Sequence, residues 1–191
     1  MTIRQGEPAF DNVTGTIAPA VTDIIKIKGM QQHASSCVFY LCAQQSCAIY
    51  GHRPLECKAL KCWDTGEIEG IYNCQRLTRR HLVSKVKGLW ELVEDHQQRC
   101  DYAHIAELAA MITQNRCAEE NTQALLELIR YDGHLRELTL KRSNLDPELL
   151  TFLFGRPLSF TIKLFRLEIT RTEKGTVLEP TGQVCYRRNG F

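Results

Sequence analysis

Residues 37–63 read CVFYLCAQQSCAIYGHRPLECKALKCW and hold five of the nine cysteines in a chain of 191 residues. These five cysteines are Cys37, Cys42, Cys47, Cys57 and Cys62. Four thiolates suit Zn²⁺ or an iron–sulfur cluster, because both prefer soft sulfur donors. The cluster therefore predicts a metal site, and the alternative is a set of buried or reactive thiols without a ligand.

The local pattern predicts how such a site would be built. The runs Val38–Leu41 and Cys47–Tyr50 are rich in β-branched and aromatic residues, which favours a β-hairpin. Pro54 suits the first position of a helix, which we expect over Leu55 to Lys61. No close Cys-x-x-Cys pair is present, so the site would have to be assembled from a hairpin and a helix by tertiary folding.

The helix sets a condition on the last two cysteines. Cys57 and Cys62 are five residues apart, which is roughly 140° around an ideal helix. Both thiols can reach one ion only if the helix ends near Leu60 or Lys61, so that Cys62 can turn back.

Three neighbours of the cysteines have their own expected roles. We expect Trp63 to pack over the site and limit solvent, and His52 to be a solvated turn residue. Arg53 either donates hydrogen bonds to sulfurs and backbone carbonyls or forms a surface ion pair with Glu56.

A set of residues in this stretch carries a family resemblance, and its members are Cys37, Cys47, Ile49, Tyr50, Arg53, Pro54, Cys57, Lys58, Leu60 and Cys62. In this spacing the chain resembles the YkgJ-type cysteine-cluster family, which is described as a zinc- or iron-chelating domain. The resemblance implies that Cys37, Cys47, Cys57 and Cys62 are the metal ligands. Cys42 has no counterpart in the family pattern and is treated as an extra cysteine.

Members of that family usually begin with a further cluster of the form C-x-x-C-G-x-C-C. No cysteine precedes Cys37 in this chain. The resemblance therefore implies either a site that has lost its first half or a chain whose start lies downstream of that half.

Residues 76–191 are predicted to be helical. The first helical stripe is read as continuous and carries Leu82, Val83, Val86, Leu89, Trp90 and Val93. The second stripe carries Ile105, Leu108, Ala109 and Ile112. A third helix is expected from about Ala118 to Lys141.

Two further signals follow the third helix. Asp146-Pro147-Glu148 predicts the start of a short helix that ends before Gly155. The runs Leu167–Arg171 and Thr176–Leu178 predict a hairpin.

The predicted fold is mainly α with a small Cys-rich α+β module. It combines a short N-terminal hairpin, a helical bundle-like C-terminal part and a C-terminal β-hairpin. Residues 1–75 would be the metal-binding module, truncated at its N-terminus, and residues 76–191 the helical region.

Charge and composition restrict the partners. The formal net charge is only +2, no apolar run is long enough to cross a membrane, and the N-terminus lacks the form of a secretory signal. A cytoplasmic location without membrane association is therefore expected, and thiols stay reduced in the cytoplasm.

The first long helix begins with basic residues, which we interpret as a solvated face rather than a nucleic-acid site because no aromatic platform accompanies them. These residues are Arg76, Arg79, Arg80, Lys85 and Lys87.

The remaining cysteines and the histidines complete the prediction. Cysteines outside the cluster are expected to be small core residues, and they are Cys74, Cys100, Cys117 and Cys185. A nucleophilic Cys–His pair stays open in principle, with His33, His81, His96 or His104 as the base. No catalytic motif supports it.

The preferred function is metal binding, with Zn or an iron–sulfur cluster held by four cysteines in a structural, redox or metal-handling role. Whether the chain is an enzyme is left open. The alternatives are a cluster-dependent oxidoreductase or methyl-transfer-related enzyme, and a helical protein-interaction module with incidental thiols.

Overall fold

The computed structural model describes residues 1–27, 29, 36–114, 116, 118–172 and 175–181. Within them the chain is mainly helical, with four antiparallel pairs of short strands, which confirms the predicted class of mainly α with a little β. The predictions for His33, Cys117 and Cys185 lie outside the described residues.

The first part of the chain contains the short strands. These are β1 (Thr2–Ile3), β2 (Pro8–Asp11), β3 (Thr16–Pro19), β4 (Ile24–Ile25), β5 (Tyr40–Leu41) and β6 (Ser46–Cys47). Strand β1 pairs with β4, β2 with β3, and β5 with β6, all antiparallel.

Helices dominate the rest of the chain. They are α1 (Leu55–Ala59), α2 (Gly66–Ile71), α3 (Arg79–Val83), α4 (Leu89–Arg99), α5 (Tyr102–Thr113), α6 (Ala118–Arg142), α7 (Leu149–Leu153) and α8 (Leu158–Thr161). The last strands are β7 (Leu167–Thr172) and β8 (Gly175–Pro180), so the predicted C-terminal hairpin is confirmed.

The main hydrophobic core lies between α5, α6 and the β7–β8 hairpin. Helix α5 is capped by the residue before it, Asp101, whose carboxylate accepts a hydrogen bond from the backbone N–H of His104 at 3.2 Å. Its predicted apolar stripe is buried and packs on Leu125 of α6 and on Leu167 and Leu178 of the hairpin. Periodicity therefore identified the helices of this core correctly.

The first helical stripe is broken, and the prediction of one continuous helix was wrong. Helix α3 ends at Val83, and α4 begins only after Gly88, whose φ of 80° is left-handed. The backbone N–H of Gly88 donates to Glu91 at 2.8 Å, which fixes the start of the new helix. Leu82 and Val86 are exposed as a result, and only the stripe residues Val83 and Val93 are fully buried.

The short helix α7 begins later than predicted. Asp146 still organises its start, because its carboxylate accepts from the N–H of Glu148 at 2.8 Å. The helix ends at Leu153, before Gly155, as expected.

Buried ion pairs join residues 1–27 to the helical region. Asp23 binds Arg79 at 2.7 Å with both side chains almost fully buried, and the buried carboxylate of Glu7 binds Arg156. Arg79 was predicted to lie on a solvated basic face, and this was wrong, because Asp23 and the carbonyl of Leu153 hold it in the interior. The domain boundary at residue 75 stays a prediction. The Asp23–Arg79 and Glu7–Arg156 contacts join residues that lie on opposite sides of it.

A second buried polar centre lies between α4 and α6. Asp132 accepts from Nε2 of His96 at 2.7 Å, from Nε of Arg136 at 2.9 Å and from the backbone N–H of Leu158 at 2.9 Å. Three donors hold the pKa of Asp132 below its usual value, although burial alone would raise it. Burial lowers the pKa of His96, against the opposing effect of its bond to Asp132. The folded state therefore favours neutral His96.

Gly155 gives the first testable prediction. Its φ is +71°, and an added Cβ would lie 2.7 Å from Cγ of Arg4 and 3.1 Å from the carbonyl oxygen of Thr2. We expect Gly155→Ala to lower the free energy of unfolding by about 2–4 kcal/mol, from left-handed strain plus overpacking. Gly15→Ala is the matched control, because Gly15 has a φ of +68° but open space around it. Chemical denaturation that shows equal losses for both variants would contradict the close approach of Arg4.

His96 gives a prediction on pH. Its pKa is below 6.5 when folded, so between pH 6.5 and the folded pKa the unfolded chain binds a proton that the folded chain does not. The free energy of unfolding should therefore fall as the pH drops below 6.5, by at most about 1.4 kcal/mol per pH unit from this one group.

The measurement is chemical denaturation at several pH values from 7.5 to 5. His96→Gln should show a shallower loss than the wild-type chain over this range. His104→Gln, which changes an exposed histidine on α5, should keep the wild-type slope. Identical slopes in all three proteins would show that His96 does not titrate as a buried neutral group.

Candidate metal centre

The cysteine segment, residues 36–78, begins with the predicted hairpin. Tyr40 on β5 pairs with Cys47 on β6. The backbone N–H of Tyr40 donates to the carbonyl of Cys37 at 2.9 Å, which closes a turn before the strand. These two contacts place Cys37 and Cys47 at the same end of the hairpin. The strands are shorter than predicted, because 3₁₀ turns begin at Cys42 and Tyr50.

The helix that follows meets the condition set for the last two cysteines. Pro54 precedes helix α1 as its N-cap rather than standing at its first position, and the helix ends at Ala59. Leu60 is extended, with φ −74° and ψ 111°, and a bridge between Lys61 and Asp64 then turns the chain. Cys62 lies within this turn, outside the helix that carries Cys57.

Three of the four predicted ligands influence one another electrostatically. The pKa of the Cys57 thiol is raised, first by partial burial and then by the negative charges of Cys37, Glu56 and Cys47. The charge of Arg53 opposes this effect. Cys37 and Cys47 are therefore within electrostatic range of Cys57.

Cys62 lies in the turn after helix α1. Its side chain is exposed, and it is not one of the largest influences on the pKa of Cys57. In the part of the chain that the structure describes, no three His, Cys, Asp or Glu side chains are arranged so that they could hold a metal ion. The donor chemistry of the thiols suits a soft metal, whereas their present arrangement is not a closed site.

The neighbours of the cysteines differ in part from the prediction. Trp63 is 84% exposed, so the prediction that it covers the site was wrong. It follows Cys62 in the turn between Lys61 and Asp64. His52 is exposed, as expected. Arg53 donates from Nε to the carbonyl of Tyr50 at 3.0 Å and stacks on the ring of Tyr50 at 3.7 Å. This local stacking was missed, although the spacing Tyr-x-x-Arg in a turn was its signal.

The cysteines outside the predicted ligand set behave differently from one another. Cys100 is fully buried in the helical core, where burial raises the pKa of its thiol to about 12, so its prediction as a core residue is confirmed. Cys74 is exposed and its thiol donates to the carbonyl of Gly70, so the same prediction was wrong for it. Cys42, the extra cysteine, is exposed in a 3₁₀ turn.

The cysteine segment has almost no hydrophobic core. Ala59 is its one buried residue, whereas several large apolar side chains are exposed to solvent. These side chains are Val38, Tyr40, Leu41, Tyr50, Leu55, Leu60, Trp63 and Leu77. Its helices, of 5 and 6 residues, are also far shorter than the length at which isolated helices become stable. Apolar burial within the segment therefore contributes little to its folding.

Comparison with protein-family models, with curated proteins and with solved structures found no match to this chain. None of the helices among the described residues combines the length and the apolar character needed to cross a membrane.

The neighbouring thiols give a testable prediction. Replacing both Cys37 and Cys47 by Ser should lower the pKa of Cys57 in metal-free protein, because two of the charges that raise it are removed. Cys57 should then be alkylated faster at mildly alkaline pH, which peptide mass spectrometry after timed iodoacetamide treatment can measure. Cys74→Ser, which changes an exposed cysteine outside the group, should leave the rate at Cys57 unchanged. An unchanged rate in the double variant would mean that the three thiols are not neighbours.

Proposed function

We propose that the chain is a metal-binding protein whose site is formed by Cys37, Cys47, Cys57 and Cys62. The ligand would be Zn²⁺ or an iron–sulfur cluster, since both accept four thiolates. The observation that supports the proposal is that the negative charges of Cys37 and Cys47 are among the causes that raise the pKa of Cys57, although the three cysteines lie in an isolated bridge, a strand and a helix of the segment.

The lack of a hydrophobic core supports the same proposal. Fixing the backbone of each residue costs about 1–2 kcal/mol, and small modules that bury little apolar surface are usually stabilised by disulfides or metals. The cysteine segment buries one residue, and its six cysteines form no disulfide with one another or with Cys100 of the core. Metal–thiolate bonds would supply the missing folding free energy.

Cys62 would complete the site through a change in the turn. This residue is exposed between Lys61 and Asp64, after a helix that has already ended. Movement of a short turn has a smaller energetic cost than rearrangement of a helix, because few backbone hydrogen bonds are lost. A fourth thiolate would close a tetrahedral set around the metal.

The charge of Arg53 is opposite to that of the thiolates of the proposed site. The positive charge of Arg53 opposes the rise in the pKa of Cys57. The Nε of the same guanidinium donates to the carbonyl of Tyr50. This positive charge would offset part of the repulsion between gathered thiolates. A structural role for the metal follows most directly, with redox or metal-handling roles as uses of the same site.

The test is metal analysis of the full chain purified without oxygen. We expect either about one zinc per chain or iron with the absorbance of a thiolate-bound cluster. Single Ser variants of the four proposed ligands should lose metal, and Cys74→Ser should keep it as the matched control from the same segment. Limited proteolysis should cleave residues 36–78 faster once the metal is removed.

Two results would contradict the proposal. One is a metal-free chain whose cysteine segment is as protected from protease as that of the metal-treated chain. The other is a Cys57→Ser variant with its full metal content. The circular dichroism of the helical core serves as a folding control, since α4, α5 and α6 lie outside the segment.

A further inference from the structure

An open groove lies between the first turns of helix α6 and strand β8. Its volume is about 750 Å³, and its apolar surface comes from Ala124, Val177 and Leu178. Leu178 is buried and belongs to the main hydrophobic core, whereas Val177 is 37% exposed. The groove is therefore a cleft at the edge of the core with room for side chains of another segment.

Three glutamates line the same groove, and they are Glu119, Glu120 and Glu127. Glu120, Ala124 and Glu127 recur at i, i+4 and i+7, so they lie on one face of α6. Glu127 accepts a hydrogen bond from Nε2 of Gln123 at 3.3 Å. No arginine, lysine or histidine is among the residues that line the groove. Its chemical complement is therefore a segment that carries cations next to an apolar side chain.

Strand β8, which contributes one wall of the groove, is followed by such a segment. Residues 182–191 lie outside the described residues, and their sequence is GQVCYRRNGF. This final segment has two adjacent cations, Arg187 and Arg188, directly after Tyr186, and it has no acidic residue. Its charge is opposite to that of the groove.

The chain is long enough to bring these arginines to the groove. Arg187 follows Leu178 by nine residues, which span at most about 32 Å. Glu120 and Glu127 are seven residues apart on a helix, which corresponds to about 10 Å along its axis. Both glutamates are therefore within reach of the final segment of the same chain.

The strength of exposed ion pairs favours this segment over a separate partner. Such pairs are individually weak, so two of them would not hold a separate peptide at low concentration. A segment tethered next to the groove has an effective concentration in about the millimolar range, at which weak contacts are sufficient.

We propose that residues 182–191 bind the groove between α6 and β8 of their own chain. Arg187 and Arg188 pair with the groove glutamates, and the ring of Tyr186 covers the exposed part of Val177. The site is separate from the proposed metal centre, which belongs to residues 36–78.

The test is limited proteolysis of the full chain with trypsin, which cleaves after Arg187 and Arg188. Intact mass spectrometry at early times measures the loss of the residues after each cleavage. Glu120→Gln/Glu127→Gln removes two of the three groove charges, and we expect cleavage at these arginines to become about 3- to 10-fold faster. Higher salt should accelerate cleavage more in the wild-type chain than in this variant, because salt screens exposed ion pairs.

The matched control is Glu94→Gln/Glu137→Gln. It makes the same change in net charge at exposed helical positions outside the groove, and it should keep the wild-type rate. Equal cleavage rates in the wild-type chain and in Glu120→Gln/Glu127→Gln would overturn the proposal, and so would equal acceleration by both double variants.

Dilution distinguishes the other occupants of the groove. Binding within one chain predicts a rate of cleavage that does not change with protein concentration at a fixed trypsin concentration. Protection that disappears on dilution would mean that the segment binds the groove of a second copy, and this result would also contradict the proposal. Circular dichroism of each variant checks that the helices are intact.

Discussion

The ion pair between Asp23 and Arg79 is the contact on which the architecture depends. It is almost fully buried, and its two-point geometry fixes the direction of both side chains. Arg79 also donates to the carbonyl of Leu153 and to Gln97, so one guanidinium joins the N-terminal segment, α4 and the end of α7. Removing either charge would leave the other buried and unpaired, which is far more destabilising than losing a surface pair.

Buried polar contacts also make the N-terminal residues part of the helical core. Thr2, Arg4 and Glu7 are all fully buried, and the hydroxyl of Thr2 donates to the carbonyl of Phe152 at 2.7 Å. The chain thus has a polar interior beside its apolar one, built from residues far apart in sequence. The cysteine segment is the opposite case, since Ala59 is its one buried residue.

Local sequence predicted those features that depend on local physics. Apolar residues at helical spacing identified α5 and α6, and alternation with turn residues identified the β7–β8 hairpin. The break at Gly88 was missed because the apolar period continues across it, while the left-handed glycine interrupts the backbone. Arg79 was misplaced because its burial needs Asp23 from 56 positions away, and the local pattern did not reveal that Trp63 is exposed. At the candidate site, the hairpin and the end of α1 were predictable, whereas the exposure of Trp63 was not.

Asp23 and Arg79 also lie on either side of the cysteine segment, one before it and one directly after it. Their contact holds the two ends of that long connection together. The entropic cost of bringing the two ends of this loop together is therefore met when the core folds, and it is not added to the cost of folding the cysteine segment. Four thiolates on a loop already closed at its base have a higher effective concentration for one another than they would on a free peptide of the same sequence.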